Sequence, residues 1–183
     1  MIFDRVFNYI QLKRKHVHYG HKVVIMGRIS VHGSGKIIIG NNVTVVSSSH
    51  YNPTAGGKET HLKAENNGIL EIKNNVGISN SAVSAFNHIT IEDNVMVGDN
   101  CMITDSDYHA ISYIDRIENH DINVKTAPVY IEEGVFIGAR SIILKGVHIG
   151  KHSVIGAGSV ISRDIPAGEM WAGNPAKFIK KII

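Results

Sequence analysis

The sequence predicts an all-β fold, a three-sided parallel β-helix, and three observations point to it. An aliphatic residue recurs every six positions at Ile131, Ile137, Ile143, Ile149, Ile155 and Ile161. Four residues after each stands a companion, Val135, Ser141, Val147, Ser153, Ser159 and Ile165, mostly small or β-branched. Gly and Asn gather between the beats, in "GNN", "EDN", "GDN" and "NN", where positive φ costs little. No helix has a six-residue period, and a simple strand has two. A period of six therefore means one short strand and one turn per repeat, with three repeats closing a triangular coil of about 18 residues. Stacked coils pair their strands at roughly 4.8 Å per coil and bury one aliphatic column along each inner edge. A β-sandwich would alternate apolar and polar residues between turns about 8–12 residues apart, and this chain does not.

With 183 residues, 43% of them hydrophobic and 19% charged, the chain fits one globular domain with a proper core. A net charge of +3, without a basic, aromatic-interleaved stripe, argues against nucleic acid as a partner. The single Cys101 excludes an internal disulfide framework and fits a reducing compartment, so a cytoplasmic protein is expected. Cys101 falls on a companion position of the repeat, which makes it a small buried filler rather than a nucleophile.

Taken in order, residues 1–15 read as a short helix, because Phe3, Phe7 and Ile10 fall at i, i+4 and i+7. Its apolar run is too short and interrupted for a signal peptide or a spanning segment. Packing on the domain end is the expected role, with a membrane-surface helix as the competing reading. The β-helix occupies 16–168, and the beat is kept by Ile39 and Val45, by Ile72 and Ile78, and by Ile91, Val97 and Ile103. From Val45 to Ile72 there are 27 positions, one coil plus 9, so an excursion leaves the coil near 46–70. From Ile103 to Ile131 there are 28, one coil plus 10, which puts a protruding loop near 104–128. "SNSAVSAFNH" is out of register by one residue. Residues 169–183 form a C-terminal tail. Between 131 and 161 nothing interrupts the count, so this stretch is a stiff post, and functional groups are expected where the post is broken.

The second interruption carries the titratable residues, "ITDSDYHAISYIDR" at 103–116, with His109 after Asp105 and Asp107. Imidazole titrates near neutral pH, so His109 can take a proton from an alcohol and later return it, and a nearby carboxylate would fix its tautomer. His88, beside the out-of-register segment, is the rival base. His148 and His152 have a spacing that suggests metal on a helix, but on this repeat they do not share a face, and no metal is expected.

The stretches "IEDNVMVGDNCMITDSDYHAI" (91–111), "IEEGVFIGARSIILKGVHIGKHSVIGAGSVISRDIPAG" (131–168) and "WAGNPAKFIKKI" (171–182) resemble the hexapeptide-repeat acyltransferases. Within them the chain is most similar to the maltose and galactoside type and to sugar O-acetyltransferases of polysaccharide synthesis. The resemblance covers 70–183 well and the first third loosely. It implies a left-handed parallel β-helix of hexapeptide repeats with a protruding loop and short terminal helices. It also implies an acetyl-CoA-dependent O-acetyltransferase acting on a sugar or polysaccharide precursor by direct transfer. In this reading His109 is the general base, while Asn80, Asp105 and Asp107 face the acceptor. Phe136, Ala139, Ala157, Ser162, Arg163, Lys177 and Lys180 are placed along the coenzyme A groove. Phe136 stands where such enzymes commonly have Trp, and Lys177 and Lys180 where they often have Arg; lysine keeps the charge but loses the bidentate fork. The resemblance implies a homotrimer with sites between subunits and a saccharide or other small acceptor. N-acetylation of an amino-sugar nucleotide, O-acetylation of an antibiotic, and a non-catalytic scaffold are the alternatives.

Overall fold

The computed structural model describes residues 2–57 and 59–182. Their strands wind into a coil with three flat faces, carrying six, eight and six strands in chain order of appearance. Within each face the coil strands are parallel and in register, so equivalent residues of successive coils lie one above another. On the first face Ile39, Ile72, Ile91, Ile131 and Ile149 are stacked partners. The second face stacks Val45, Ile78, Val97, Ile137 and Ile155, and the third stacks Leu62, Val83, Ile103, Ile143 and Ile161. All are buried in the core, which companion residues such as Val43, Val76, Val95, Val135 and Val147 complete. The six-residue beat of the sequence is thus the spacing between three aliphatic columns, each strand stacked on its neighbours above and below at roughly 4.8 Å.

The edge from first to second face is held by stacked asparagines. Asn42, Asn75 and Asn94 all have positive φ, and their side chains link in sequence at 3.1 and 3.2 Å before Asn94 reaches Glu133 at 3.1 Å. Asparagine suits this place because it enters the left-handed region at little cost and carries both donor and acceptor.

The two excursions leave by different edges. The first spans 48–60, between the second and third faces, and is shorter than the expected 46–70: the coil already resumes at His61–Ala64. It begins after Thr44–Ser47, a strand paired on both sides. The second runs from Asp105 to Pro128, between Met102–Thr104 on the third face and Val129–Ile131 on the first. In a three-sided coil the edge between third and first faces is the one opposite the second face.

The ends differ from expectation in two respects. The C-terminal segment is an antiparallel hairpin, Glu169–Gly173 with Ala176–Lys181, rather than a helix. Its first strand extends the second face by pairing with Val154–Ile155, and the second strand covers the backbone edge left open there. Trp171 sits above Ile155 and closes that column against the core. At the other end the helix Ile2–Arg14 forms as expected but faces the other way. It docks through buried Asn8 and Leu12; Asn8 Nδ2 donates to the Gly27 carbonyl at 2.9 Å and its Oδ1 accepts from Ile29 N at 3.0 Å. Phe3 and Ile10 of the expected packing face are turned out to solvent. A polar side chain that satisfies two backbone groups at the open end of the coil outcompetes apolar contact there.

Candidate active site

His109 lies on the second excursion, five residues beyond the end of the strand Met102–Thr104. The base of this loop is a short antiparallel closure: Ser106 bridges Thr126, Asp107 N donates to Lys125 O at 3.0 Å, and Ala127 N donates to Asp105 O at 2.9 Å. Beyond the closure the chain makes one π-helical turn, Ile114–Glu118, and returns through His120, Asp121 and Asn123, all at positive φ. The return brings Asp121 back to His109. Its Oδ2 lies 2.5 Å from His109 Nδ1, and its Oδ1 accepts from Ala110 N at 2.7 Å. The Ala110 N–H, then the imidazole, hold the Asp121 carboxyl below the ordinary carboxylate range. The His109 side chain is 72% exposed. With Nδ1–H given to the carboxylate, Nε2 is left free as an acceptor facing solvent.

The carboxylate beside His109 is therefore Asp121, and neither of the two expected aspartates serves there. Asp105 is wholly buried, and its two oxygens accept from Phe86 N and Asn87 N at 2.7 and 2.8 Å. It ties the foot of the loop to the coil below and is closed off from solvent. Asp107 pairs through Oδ1 with Lys145 Nζ at 2.6 Å, while its Oδ2 is buried without a hydrogen-bond partner among the described residues. Asn80 is also withdrawn: it is 3% exposed, and its Nδ2 donates to Asn52 O at 2.9 Å and to Asp99 Oδ1 at 2.6 Å. Asp99 Oδ2 in turn accepts from Ala55 N at 2.7 Å, and Arg140 donates to Ala55 O from Nη2 at 2.8 Å. Asn80, Asp99 and Arg140 clamp the first excursion onto its edge.

The residues expected on the donor side fall into three places. Phe136 is half exposed on the second face, and its register runs through Val154 and Met170 to Lys180, three strand steps or roughly 14 Å away. Lys177 is paired with Ala172 on the same hairpin. Ala139 and Ala157 stack on the edge between second and third faces. A Cβ on Gly98 would meet Ala139 N at 2.7 Å, and one on Gly138 would meet Ala157 N at 2.6 Å, so only glycine lets these coils stack so closely. Ser162 and Arg163 are exposed on the opposite edge, the one from which His109 departs. In a single chain, then, the imidazole with Ser162 and Arg163 stands across the prism from Phe136, Lys177 and Lys180.

The other singled-out residues have structural places. His88 lies on the first face, 3.3 Å from Thr90 Oγ1. His148 pairs with Glu132 at 2.8 Å, whereas His152 occupies a turn at positive φ. No group of three His, Cys, Asp or Glu able to hold a metal occurs among the described residues. Cys101 is buried, 3.2 Å from the Gly138 carbonyl, and burial pushes its thiol pKa up, which removes it as a nucleophile. An open cavity of about 700 Å³ lies under the first excursion, lined by Arg28, His50, Tyr51, Glu59 and His61 among others. It occupies the edge between second and third faces, near the first coils, and does not adjoin His109 of the same chain.

Residues 128–163 match the family model described as the hexapeptide repeat of succinyl-transferase. Over 55 residues the chain is 56% identical to 2,3,4,5-tetrahydropyridine-2,6-dicarboxylate N-acetyltransferase of Clostridium perfringens, a match covering 30% of this chain and 23% of the relative. The chain thus aligns with less than a quarter of the length of the curated relatives it matches. Among solved structures it is similar to AntD, an N-acyltransferase from Bacillus cereus in complex with dTDP-4-amino-4,6-dideoxyglucose and coenzyme A. There the identity is 24% over 96% of this chain and 89% of the other, with a TM-score of 0.73. It is also similar to a hexapeptide-repeat-containing acetyltransferase from Vibrio cholerae complexed with acetyl coenzyme A, 22% identical over 98% of this chain and 79% of the other, TM-score 0.65. A galactoside acetyltransferase in complex with coenzyme A aligns at 22% identity over 91% of this chain and 65% of the other, with a TM-score of 0.57. In its repeat, its three stacked columns and its fold, the chain shares the left-handed parallel β-helix architecture of these acetyltransferases.

Proposed function

We propose that the protein is an acetyl-CoA-dependent O-acetyltransferase that acetylates a hydroxyl of a sugar or polysaccharide precursor. The observation that carries this reading is the His109–Asp121 pair, a solvent-facing imidazole whose tautomer is set by an ionised carboxylate. His109 Nε2 takes the proton of the acceptor hydroxyl as its oxygen attacks the thioester carbonyl carbon. The tetrahedral adduct collapses with cleavage of the C–S bond, and the imidazolium gives its proton to the departing thiolate sulfur. Asp121 supports the imidazolium during this interval through charge and a short hydrogen bond.

The donor residues would come from a neighbouring subunit. His109, Ser162 and Arg163 share one edge, and Phe136, Lys177 and Lys180 lie on the face opposite, so one coenzyme A molecule reaches both sets only when two prisms stand side by side. Exposed Ile111, Tyr113, Ile114 and Ile117 on the His109 loop supply apolar surface for that contact. A homotrimer gives each of three such clefts the same composition, and closes. Between the prisms, Phe136 would pack on pantetheine, the close-stacked backbone at Ala139 and Ala157 would meet its amides, and the two lysines would neutralise phosphate. The reading places the protein in the cytoplasm, where acetyl-CoA is available and Cys101 stays reduced.

A second reading, N-acylation of an amino-sugar nucleotide, is favoured by the likeness to AntD across nearly the whole chain. An acceptor panel of sugars, amino-sugar nucleotides and the dicarboxylate amine, followed by release of free coenzyme A thiol, separates the two. Turnover confined to hydroxyl acceptors supports the first, and turnover confined to amines replaces it with the second. A mass measured by light scattering that equals one chain would defeat the shared-cleft arrangement in either case.

A further inference from the structure

The N-terminal helix presents an apolar stripe to solvent. Ile2, Val6 and Ile10 recur at i, i+4 and i+8, and Phe3 and Phe7 run beside them. Ile2, Phe3 and Val6 are 75%, 80% and 55% exposed, and Ile10 is 47% exposed. Lys13 and Arg14 continue these two lines at the last turn of the helix. The inward side is nearly spent on polar anchoring by Asn8, with Leu12 its one buried apolar residue. Such an orientation is the reverse of an ordinary surface helix, whose apolar stripe faces the core.

Charge says what covers it. Residues 1–22 carry five Lys or Arg against the single Asp4, whereas the rest of the chain carries fourteen against fifteen acidic residues. The positive charge of the protein is therefore concentrated at the end that bears the helix. Asp4 itself is engaged by Arg28 Nε at 2.9 Å, and Arg28 also lies over the Phe7 ring at 5.2 Å. No helix among the described residues is long and apolar enough to cross a membrane.

We infer that this helix is a membrane-surface anchor that lies on an anionic lipid bilayer, with Ile2, Phe3, Val6 and Ile10 sunk at the headgroup boundary and Lys13 and Arg14 among the phosphates. An outward apolar stripe ending in cations matches a negatively charged interface, where basic side chains also lay their methylene stems along the apolar boundary. Docking through Asn8 leaves the stripe free while fixing the prism axis relative to the lipid plane. The inference does not depend on the acetyltransferase reading; it would bring the loops of a prism to acceptors held at a membrane.

Co-sedimentation of the full chain with unilamellar vesicles tests it. Vesicles with about 30% phosphatidylglycerol should bind the protein, and neutral phosphatidylcholine vesicles should bind it at least about tenfold less. About 0.5 M NaCl should weaken binding, since the charges are exposed. The double variant Phe3→Ser and Ile10→Ser should lose at least about tenfold in vesicle binding with its circular dichroism melt unchanged. Lys13→Gln and Arg14→Gln should each lose about fivefold. Failure of the wild-type chain to bind anionic vesicles would overturn the assignment, as would equal binding to neutral ones. A drop in oligomeric mass in the Ser variant without loss of vesicle binding would also overturn it, showing that the stripe meets another copy of the chain.

Discussion

Between Val129 and Ile165 every inward side chain is aliphatic or a serine, and hydrogen bonds run from each coil's backbone to the next. Between Asp105 and Pro128 the isoleucines Ile111, Ile114, Ile117 and Ile122 are exposed and carboxylates hold the chain, Asp105 at the foot and Asp121 beside the imidazole. The first region repeats, so any coil is held by contacts that its neighbours duplicate. The second is held by a few directional bonds that nothing duplicates. Burial of apolar surface is non-directional and builds a stiff post, whereas a carboxylate accepting backbone N–H groups fixes one geometry at one place. Chemistry that needs an imidazole in a defined tautomer belongs on the second kind of structure.

Changes that touch only one of the two regions separate their roles. The largest effect is expected for His109→Ala, a loss of about 10² to 10⁴ in kcat with an unaltered thermal melt, since the exposed ring adds no core contact. Retention of near wild-type turnover would remove His109 as the base. Next is Ile137→Ala in the column, expected to cost about 3 kcal/mol in urea unfolding while the folded fraction keeps its kcat. Asp105→Ala joins the regions: it leaves Phe86 N and Asn87 N without their acceptor and should cost about 2 kcal/mol, with protease cleavage appearing first inside 105–128. A uniform loss of protection would show instead that the loop and column unfold as one unit.

Asp121→Asn is the gentler case. The amide can still accept from one neighbour but offers N–H to the other, so kcat should fall about tenfold with stability nearly unchanged. Acid is the smallest perturbation. Because the folded Asp121 carboxyl is held below its ordinary range, its contribution is present above the unfolded value and lost only as pH falls through the lowered one. Loop cleavage by an acid-tolerant protease should therefore rise at lower pH in wild type than the ordinary carboxylate range would give, and show no such step in Asp121→Asn.

The post was legible because its physics is periodic. Ile131 to Ile161 mark each strand of the last coils, and the leftover counts locate both excursions, although His61–Ala64 shows that the first returns earlier than arithmetic alone implied. His109 was legible as an imidazole at a break in rhythm. Its carboxylate was not: Asp121 is twelve residues further on, and only the turn at His120, Asp121 and Asn123 folds it back. The cluster "NHDIN" is the signal that was available, a run of residues that accept positive φ. Asp105 and Asn80 carry the opposite lesson, since a polar residue near a candidate site is as often spent on satisfying backbone. Nor does helical periodicity at Phe3, Phe7 and Ile10 say which side of a helix docks; Asn8 decided that.

The constant rise of the coil makes the molecule a ruler graduated in steps of about 4.8 Å. Inserting or deleting one whole turn of about 18 residues between Ile137 and Ile161 would shift Trp171 and the terminal hairpin along the axis by one graduation without rotating them. The interval between imidazole and distal lysines can thus be lengthened or shortened in discrete units, and on the proposed acyl-transfer reading a library of such length variants would select among donors by their physical reach.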